Sequence, residues 1–185
     1  MKKVVFLLEE PSMKEFLDEF LPRLLPGLDF VCVRHEGKQD LEKSIPRKIK
    51  GWYPRDVAFV VVRDNDGAAC KKLKDKLKKL CVQAGRPDAL VRIACQELEA
   101  WFLGSLAAVG AEYAKPALSK PARRERFRDP DLLPKPSLTL RELVPEYQKL
   151  DGARRMGGRM PVQFAGNRSR SFQVFCEGVQ RLAAG

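Results

Sequence analysis

The sequence predicts an α/β fold: an open sheet of about four mainly parallel strands with helices on both faces, continued by a basic, proline-rich C-terminal part that is helical or irregular. Three observations predict it. Apolar runs of strand length alternate four times with amphipathic stretches of helical period. The stretches between the runs are long enough for the crossovers that parallel pairing demands. Beyond residue 110 the alternation stops, and Pro116, Pro121, Pro130, Pro134, Pro136, Pro145 and Pro161 punctuate a segment rich in Arg and Lys. The expected division is an α/β domain over residues 1–110 and a basic extension over 111–185, its closing amphipathic helix packed on the same domain.

Val4–Leu8 is a continuous apolar run, as expected of a strand buried on both faces. Phe16, Leu17, Phe20, Leu21 and Leu24 then recur at helical spacing; Ser12 with Glu15 fits a capping box, and Pro26-Gly27 ends the unit. Asp29–His35 reads as a second strand. Lys38–Lys50 reads as a weaker helix that breaks or restarts at Pro46. Asp56–Arg63 holds the strongest strand signal, VAFVVV. Ala68–Ala84 is a basic amphipathic helix with Leu73, Leu77 and Leu80 on one face, stopped by Gly85-Arg86-Pro87. Leu90–Cys95 reads as the fourth strand and Glu97–Leu106 as a helix with Leu98, Trp101 and Phe102 facing the core. In the later part a helix is expected near Thr139–Gln148 and another over Phe172–Leu182, with loop between them.

The 185 residues, 44% hydrophobic and 32% charged, make one ordinary globular domain able to fold without disulfides or a structural metal. No apolar run approaches bilayer length, which argues against a membrane. The start, with Glu9 and Glu10 directly after a short apolar run, is no secretory signal. Five cysteines without a CxxC pair argue against zinc-finger spacing and for a reduced, cytoplasmic setting. The single histidine, His35, rules out a multi-histidine metal site; a surface position is expected for it. Residues 1–66 hold as many basic as acidic side chains, so the whole net charge of +11 lies after residue 66. Such an excess points to an anionic partner, nucleic acid above all, although solubility alone also explains a basic protein.

Acidic residues gather at strand ends. Glu9 and Glu10 follow the first strand, Asp64 and Asp66 the third, Glu97 and Glu99 the fourth. Ligands of open parallel sheets bind beyond the carboxyl ends of the strands. Carboxylates converging there repel one another unless a cation or proton joins them, and hard oxygen donors suit Mg²⁺ or Mn²⁺. Asn65 and Gly67 favour the turn that lets Asp64 and Asp66 face one ion. The plainer explanation is that Asp, Asn and Glu after strands make turns and cap helices.

Glu9-Glu10-Pro11-Ser12 after VVFLL, with Arg63-Asp64-Asn65-Asp66-Gly67 after VAFVVV, resembles the Toprim fold, the metal-binding domain of topoisomerases, primases and OLD-type nucleases. Gln96–Leu103 and Gly166–Phe172 look like segments of a bacterial domain-of-unknown-function family of Toprim-like, RloB-like character. The resemblance implies a Toprim-like sheet, Glu9 as the Toprim glutamate that moves protons, and Asp64 and Asp66 as the aspartate pair that, with Glu9, holds the metal. Glu99 matches an acidic position before the family's tryptophan and is implied as a catalytic assistant. Two positions depart from the pattern. Glu10 stands where Toprim domains carry glycine, and Met13 where OLD-type nucleases carry a second acid, which leaves open whether one ion binds or two. The resemblance also implies a phage-defence setting with a partner ATPase.

The basic part holds two arginine clusters, Arg123, Arg124, Arg126 and Arg128, then Arg154, Arg155 and Arg159. In Asn167-Arg168-Ser169-Arg170-Ser171 a serine can cap the last helix while its free N–H groups and the arginines receive a phosphate; an ordinary cap on a solvated surface is the plainer reading. Arg63 joins this phosphate-binding set. Trp52, Tyr53 and Trp101 can stack on bases but more simply pack. The expected function is a Mg²⁺- or Mn²⁺-dependent phosphodiesterase acting on DNA or RNA. The alternative is a non-catalytic partner subunit that docks an ATPase or nucleic acid.

Overall fold

The computed structural model describes residues 3–53, 56–120 and 125–184. Its sheet has four strands, β1 (Lys3–Leu8), β2 (Phe30–Arg34), β3 (Val57–Asp64) and β4 (Leu90–Ala94), in the order β2-β1-β3-β4. All are parallel, with Val5 level with Val31 and Phe59, and Val61 level with Val91.

Helices α1 (Pro11–Leu24), α2 (Lys38–Gly51) and α3 (Cys70–Gln83) make the crossovers. Alternate strand residues face opposite layers, so β1 and β3 are buried on both sides. Val4, Phe6, Leu8, Val60 and Val62 point to one core, with α1 and the C-terminal helices. Val5, Leu7, Phe59 and Val61 point to the other, with α2 and α3. The chain runs outward from β1 to β2, then recrosses to β3, so the switch point of the sheet lies between β1 and β3.

After β4 come α4 (Glu99–Leu103), α5 (Leu106–Glu112), α6 (Pro136–Leu143), α7 (Lys149–Arg159) and α8 (Arg170–Ala184). One core runs through both parts of the chain: Phe16 and Phe20 of α1, Trp101 of α4 and Phe172 of α8 are in ring contact. Trp101 is a core residue, and Trp52 packs edge-on against Phe59. No described helix is long and apolar enough to cross a membrane.

Several local expectations are corrected. The Ser12–Glu15 capping box does not form. Glu10 is the N-cap in extended conformation and Pro11 takes the first helical position, where its missing N–H costs nothing. Ser12 Oγ donates instead to Glu10 Oε2, 3.2 Å away. Pro46 does not break α2, which runs unbroken to Gly51. An internal proline costs about 3 kcal/mol, whereas burying Leu41, Ile45 and Ile49 returns roughly 1.5–3 kcal/mol each.

The helix expected over Glu97–Leu106 divides at Gly104-Ser105 because the side chain of Asn167 enters there and leaves no space for a Cβ on Gly104. The helix expected at Thr139–Gln148 is shifted toward the N-terminus as α6 and stops at Leu143, where Val144, preceding Pro145, is held in extended φ (−135°); residues 144–148 are not helical. The stretch read as loop around Gly152, Gly157 and Gly158 is α7. A side chain at Gly157 would collide with the carbonyl of Phe16, so the glycine lets α7 lie directly on α1. Arg23 fastens the pair by donating to the carbonyls of Gly157 and Met160, at 2.8 and 2.9 Å.

Candidate functional site

All the strand-end acids emerge at the same edge of the sheet, and Glu9 and Asp64 flank its switch point. Both are buried, 6% exposed, and the N–H of Asp64 donates to Glu9 Oε2 at 3.2 Å. The turn after β3 forms as its composition suggests. Asp66 and Gly67 take positive φ, Ala68 N–H returns to Asn65 O, and the turn is tied to the segment after β4 by Asp66 N–H to Gln96 O, 3.2 Å. Asp66 itself stays exposed at the rim.

Glu99, at the start of α4, is the most deeply buried acid of the group at 1% exposure. Its Oε1 accepts the Tyr147 hydroxyl at 2.9 Å, whereas its Oε2 is buried and has no partner among the described residues. Glu97 turns away and caps Ser137 N–H at 2.7 Å.

The electrostatics follow from this crowding. Burial lifts Glu9 to about 7, with Arg63 opposing and Asp66 and Glu10 adding to the rise. Burial, then repulsion from Glu10, Glu99 and Glu9, holds Asp64 well above the usual carboxylate range, and burial raises Glu99.

Lys149, the first residue of α7, brings a cation into the group. Its Nζ lies 2.5 Å from Glu10 Oε2. Burial alone would lower this ammonium, but Glu10, with Glu99 and Asp64, outweighs it and raises the lysine instead. A cleft of about 350 Å³ opens beside this pair, bordered by Ser12, His35, Glu36 and Gly37.

His35 is not on the surface, as expected from the sequence, but 3% exposed. Its Nδ1 lies 2.9 Å from the carbonyl of Leu8, so that nitrogen carries the proton. Nε2 is buried and has no partner among the described residues.

Among the described residues no three His, Cys, Asp or Glu side chains converge tightly enough to hold an ion as they stand. The space enclosed by Glu9, Glu10, Asp64 and Leu98 has no room for a water molecule. The donor chemistry nevertheless fits a hard divalent ion. Two carboxylates are raised by burial and mutual repulsion, and a third offers a buried oxygen without a partner.

A family model described as a domain of unknown function, DUF4276, matches residues 8–180. The chain belongs to the DUF4276 family. No curated protein matches this DUF4276 chain. Among solved structures it is similar to the C-terminal region of the OLD protein of Xanthomonas campestris pv. campestris, with 14% identity and a TM-score of 0.52 over 100% of this chain and 99% of the other. It is equally similar to the C-terminal region of the Burkholderia pseudomallei OLD protein, with 15% identity and a TM-score of 0.52 over 97% and 98%. At that identity the likeness is one of fold: the Toprim-like sheet read from the sequence is the sheet this DUF4276 chain has.

The residues expected to bind phosphate have partners inside the protein. Arg63 is buried and pairs with Glu42 and, at 3.6 Å, with Glu9. Asn167 Nδ2 donates to the carbonyl of Trp101 at 2.9 Å, closing the end of α4. Ser169 caps α8 through Phe172 N–H. Asp131 occupies the place an anion would take: it accepts Ser169 Oγ at 2.6 Å, Ser171 N–H at 2.7 Å and Ser171 Oγ at 3.1 Å. Arg170 reaches Glu177 at 3.0 Å, and Arg168 also has an interaction of its own.

Of the arginine clusters, Arg123 and Arg124 lie outside the described residues. Arg155 and Arg159 both grip Glu112, and Arg154 grips Asp151. Among the described residues the basic side chains without an ion pair that cluster most densely are Lys71, Lys72, Lys74 and Lys79 of α3, all exposed.

Three residues that sequence reasoning missed, Lys149, Tyr147 and Asp131, come from the proline- and glycine-rich part. Nothing local marks them, because their roles arise only when α7 docks on α1 and the 3₁₀ turn at Pro130–Leu132 meets the start of α8.

Proposed function

We propose that this DUF4276 chain is a divalent-metal-dependent phosphodiesterase that cleaves a nucleic-acid backbone. The observation that supports the reading is the contact of Glu9 with Asp64 at the switch point of a Toprim-like sheet, with Glu99 and the Lys149 ammonium within electrostatic reach of Asp64. A bound Mg²⁺ or Mn²⁺ would supply charge stabilisation at the scissile phosphate and an activated water.

Asp64 and the free Oε2 of Glu99 are the donors best suited to hold such an ion, with Asp66 completing the set from the rim. Glu9, raised to about 7, is poised to take the proton of the attacking water and to return it to the leaving oxygen. Lys149 sits where a cation can face the phosphate oxygens. The free lysines of α3, which begins six residues after Asp64, make the side chains best placed for backbone contacts without sequence readout.

The test is cleavage of single- and double-stranded DNA and RNA with Mg²⁺, Mn²⁺ or excess EDTA, on the wild type and Asp64→Asn. Cleavage that needs the ion and disappears in the variant supports the reading. Metal-independent cleavage, or none with any substrate, overturns it. In the second case tight nucleic-acid binding without cleavage would favour a non-catalytic subunit.

A further inference from the structure

Cys70 and Cys95 place their sulfurs 3.5 Å apart, across 25 residues of sequence. Cys70 opens α3, directly after the turn that carries Asp64 and Asp66. Cys95 is the first residue after β4, directly before the segment that carries Glu97 and Glu99. The backbones of these two segments are already held in register. Asn65 N–H donates to Ala94 O and Asp66 N–H to Gln96 O, each at 3.2 Å, and Gly67 N–H donates to Gln96 Oε1 at 2.9 Å. The remaining cysteines, Cys32, Cys81 and Cys176, are buried singly.

The pair is also reachable. Both cysteines line a cavity of about 400 Å³ that opens to solvent between α3, β4 and α8, with Lys71, Lys74 and Asp131 on its walls. Neither thiol is fully buried.

We infer that Cys70 and Cys95 form a reversible intramolecular disulfide when a peroxide enters this cavity. The sulfurs need only close from 3.5 Å to about 2 Å, a movement that side-chain rotation on two registered segments supplies. Burial, with Asp131 and Cys70 acting in the same direction, keeps Cys95 as a thiol, which fits it as the resolving partner and leaves Cys70 as the first to react.

In the first step the Cys70 sulfur attacks one peroxide oxygen. An S–O bond forms, the O–O bond breaks, and the departing hydroxide takes the Cys70 thiol proton and leaves as water, giving a sulfenic acid. In the second the Cys95 sulfur attacks the Cys70 sulfur. The S–S bond forms, the S–O bond breaks, and the hydroxyl leaves as water with the Cys95 proton. The two thiols lose two electrons and hydrogen peroxide gains them. A disulfide formed this way in a reducing compartment is transient, as redox-sensing ones are. It would tie the Asp64–Asp66 turn covalently to the Glu97–Glu99 segment. This inference rests on the thiol geometry alone and stands or falls independently of nuclease activity.

The experiment exposes the reduced full chain to hydrogen peroxide, alkylates the remaining thiols with iodoacetamide under denaturing conditions, digests with trypsin and maps the peptides by mass spectrometry. The expected product links residues 64–71 to residues 93–123, since Lys115 and Lys120 precede prolines and are not cut; it is lighter by two hydrogens than the separate peptides and released by dithiothreitol, while Cys32, Cys81 and Cys176 are recovered alkylated. In Cys95→Ser the linked peptide is absent and Cys70 accumulates as a sulfenic acid trapped by dimedone. Recovery of Cys70 and Cys95 both alkylated, further oxidation of Cys70 without a linked peptide in the wild type, or linkage only between two molecules would each overturn the inference.

Discussion

The hydroxyl of Tyr147 donates to Glu99 Oε1 at 2.9 Å, across 48 residues of sequence and from the C-terminal part of the chain to the acidic edge of the sheet. This bond orients the carboxylate so that one oxygen is satisfied and the other is left without a partner among the described residues. The acidic site is therefore assembled by both parts of the chain.

Tyr147→Phe removes that bond and leaves Glu99 buried with neither oxygen paired. Its stability should fall by about 1–3 kcal/mol, read as a lower urea midpoint with unchanged slope. A variant as stable as the wild type would mean that Glu99 finds another partner.

Asp64→Asn and Glu99→Gln should each weaken Mn²⁺ binding by at least about 10-fold, since outer partners of metal ligands already cost that much. Isothermal titration calorimetry on the folded variants checks this. Unchanged affinity in both would remove the metal from this site.

Removing Lys149 should separate binding from chemistry. In Lys149→Met the acids lose a competing cation, so Mn²⁺ should bind more tightly, by roughly fivefold if the charge is worth about 1 kcal/mol, while phosphodiester cleavage falls. Weaker Mn²⁺ binding in this variant would show that Lys149 organises the acids rather than competing for them.

Stability of the metal-free protein should depend on pH through Glu9. Its carboxyl titrates near 7 in the folded chain against 4.5 as a free side chain, so the folded state holds the proton more tightly. Below the lower value both states are protonated and nothing is lost. Between the two values stability falls as pH rises, and above 7 the full loss of about 3 kcal/mol is in place. Urea unfolding across this range, with chelator present, should show the decline in the wild type and a shallower one in Glu9→Gln. Parallel curves for the two would assign the dependence to another group.

Nucleic-acid binding should weaken steeply with salt, with a log–log slope near −0.9 per phosphate neutralised on duplex DNA. Replacing Lys71 and Lys74 by Ala should flatten the slope by roughly one to two units. Replacing Arg154 and Arg155 should change it less, because Asp151 and Glu112 already hold them. The reverse order would move the contact surface from α3 to α7.

The sheet was legible because β1 and β3 are buried on both faces and so appear as unbroken apolar runs, Val4–Leu8 and Val57–Val62. Glu9 and Asp64 were legible for the same reason, since a strand that ends in an acid fixes that acid at the sheet edge. Lys149 and Tyr147 were not. They lie in a stretch whose glycines and prolines suggest loop, and only the close approach of α7 to α1 at Gly157 gives one of those glycines its purpose. His35 appeared polar and exposed although the carbonyl of Leu8 gives it a place inside. The arginines read as a free basic surface because sequence does not reveal that Glu112 and Asp131 lie within reach of the arginine and serine groups meant for phosphate.

The ring contacts of Trp101 with Phe172 and Phe175 beneath α1 set an order of events during synthesis. A nascent chain released only as far as residue 110 has made all four strands, but the layer over Phe16 and Phe20 is still missing its last helix. Until residues 149–184 leave the ribosome, that apolar face has only α4 of its own chain to cover it, and such half-covered intermediates are the ones chaperones hold. A gene cut after residue 110 would therefore yield a sheet whose α1 layer lacks the helices that close its core.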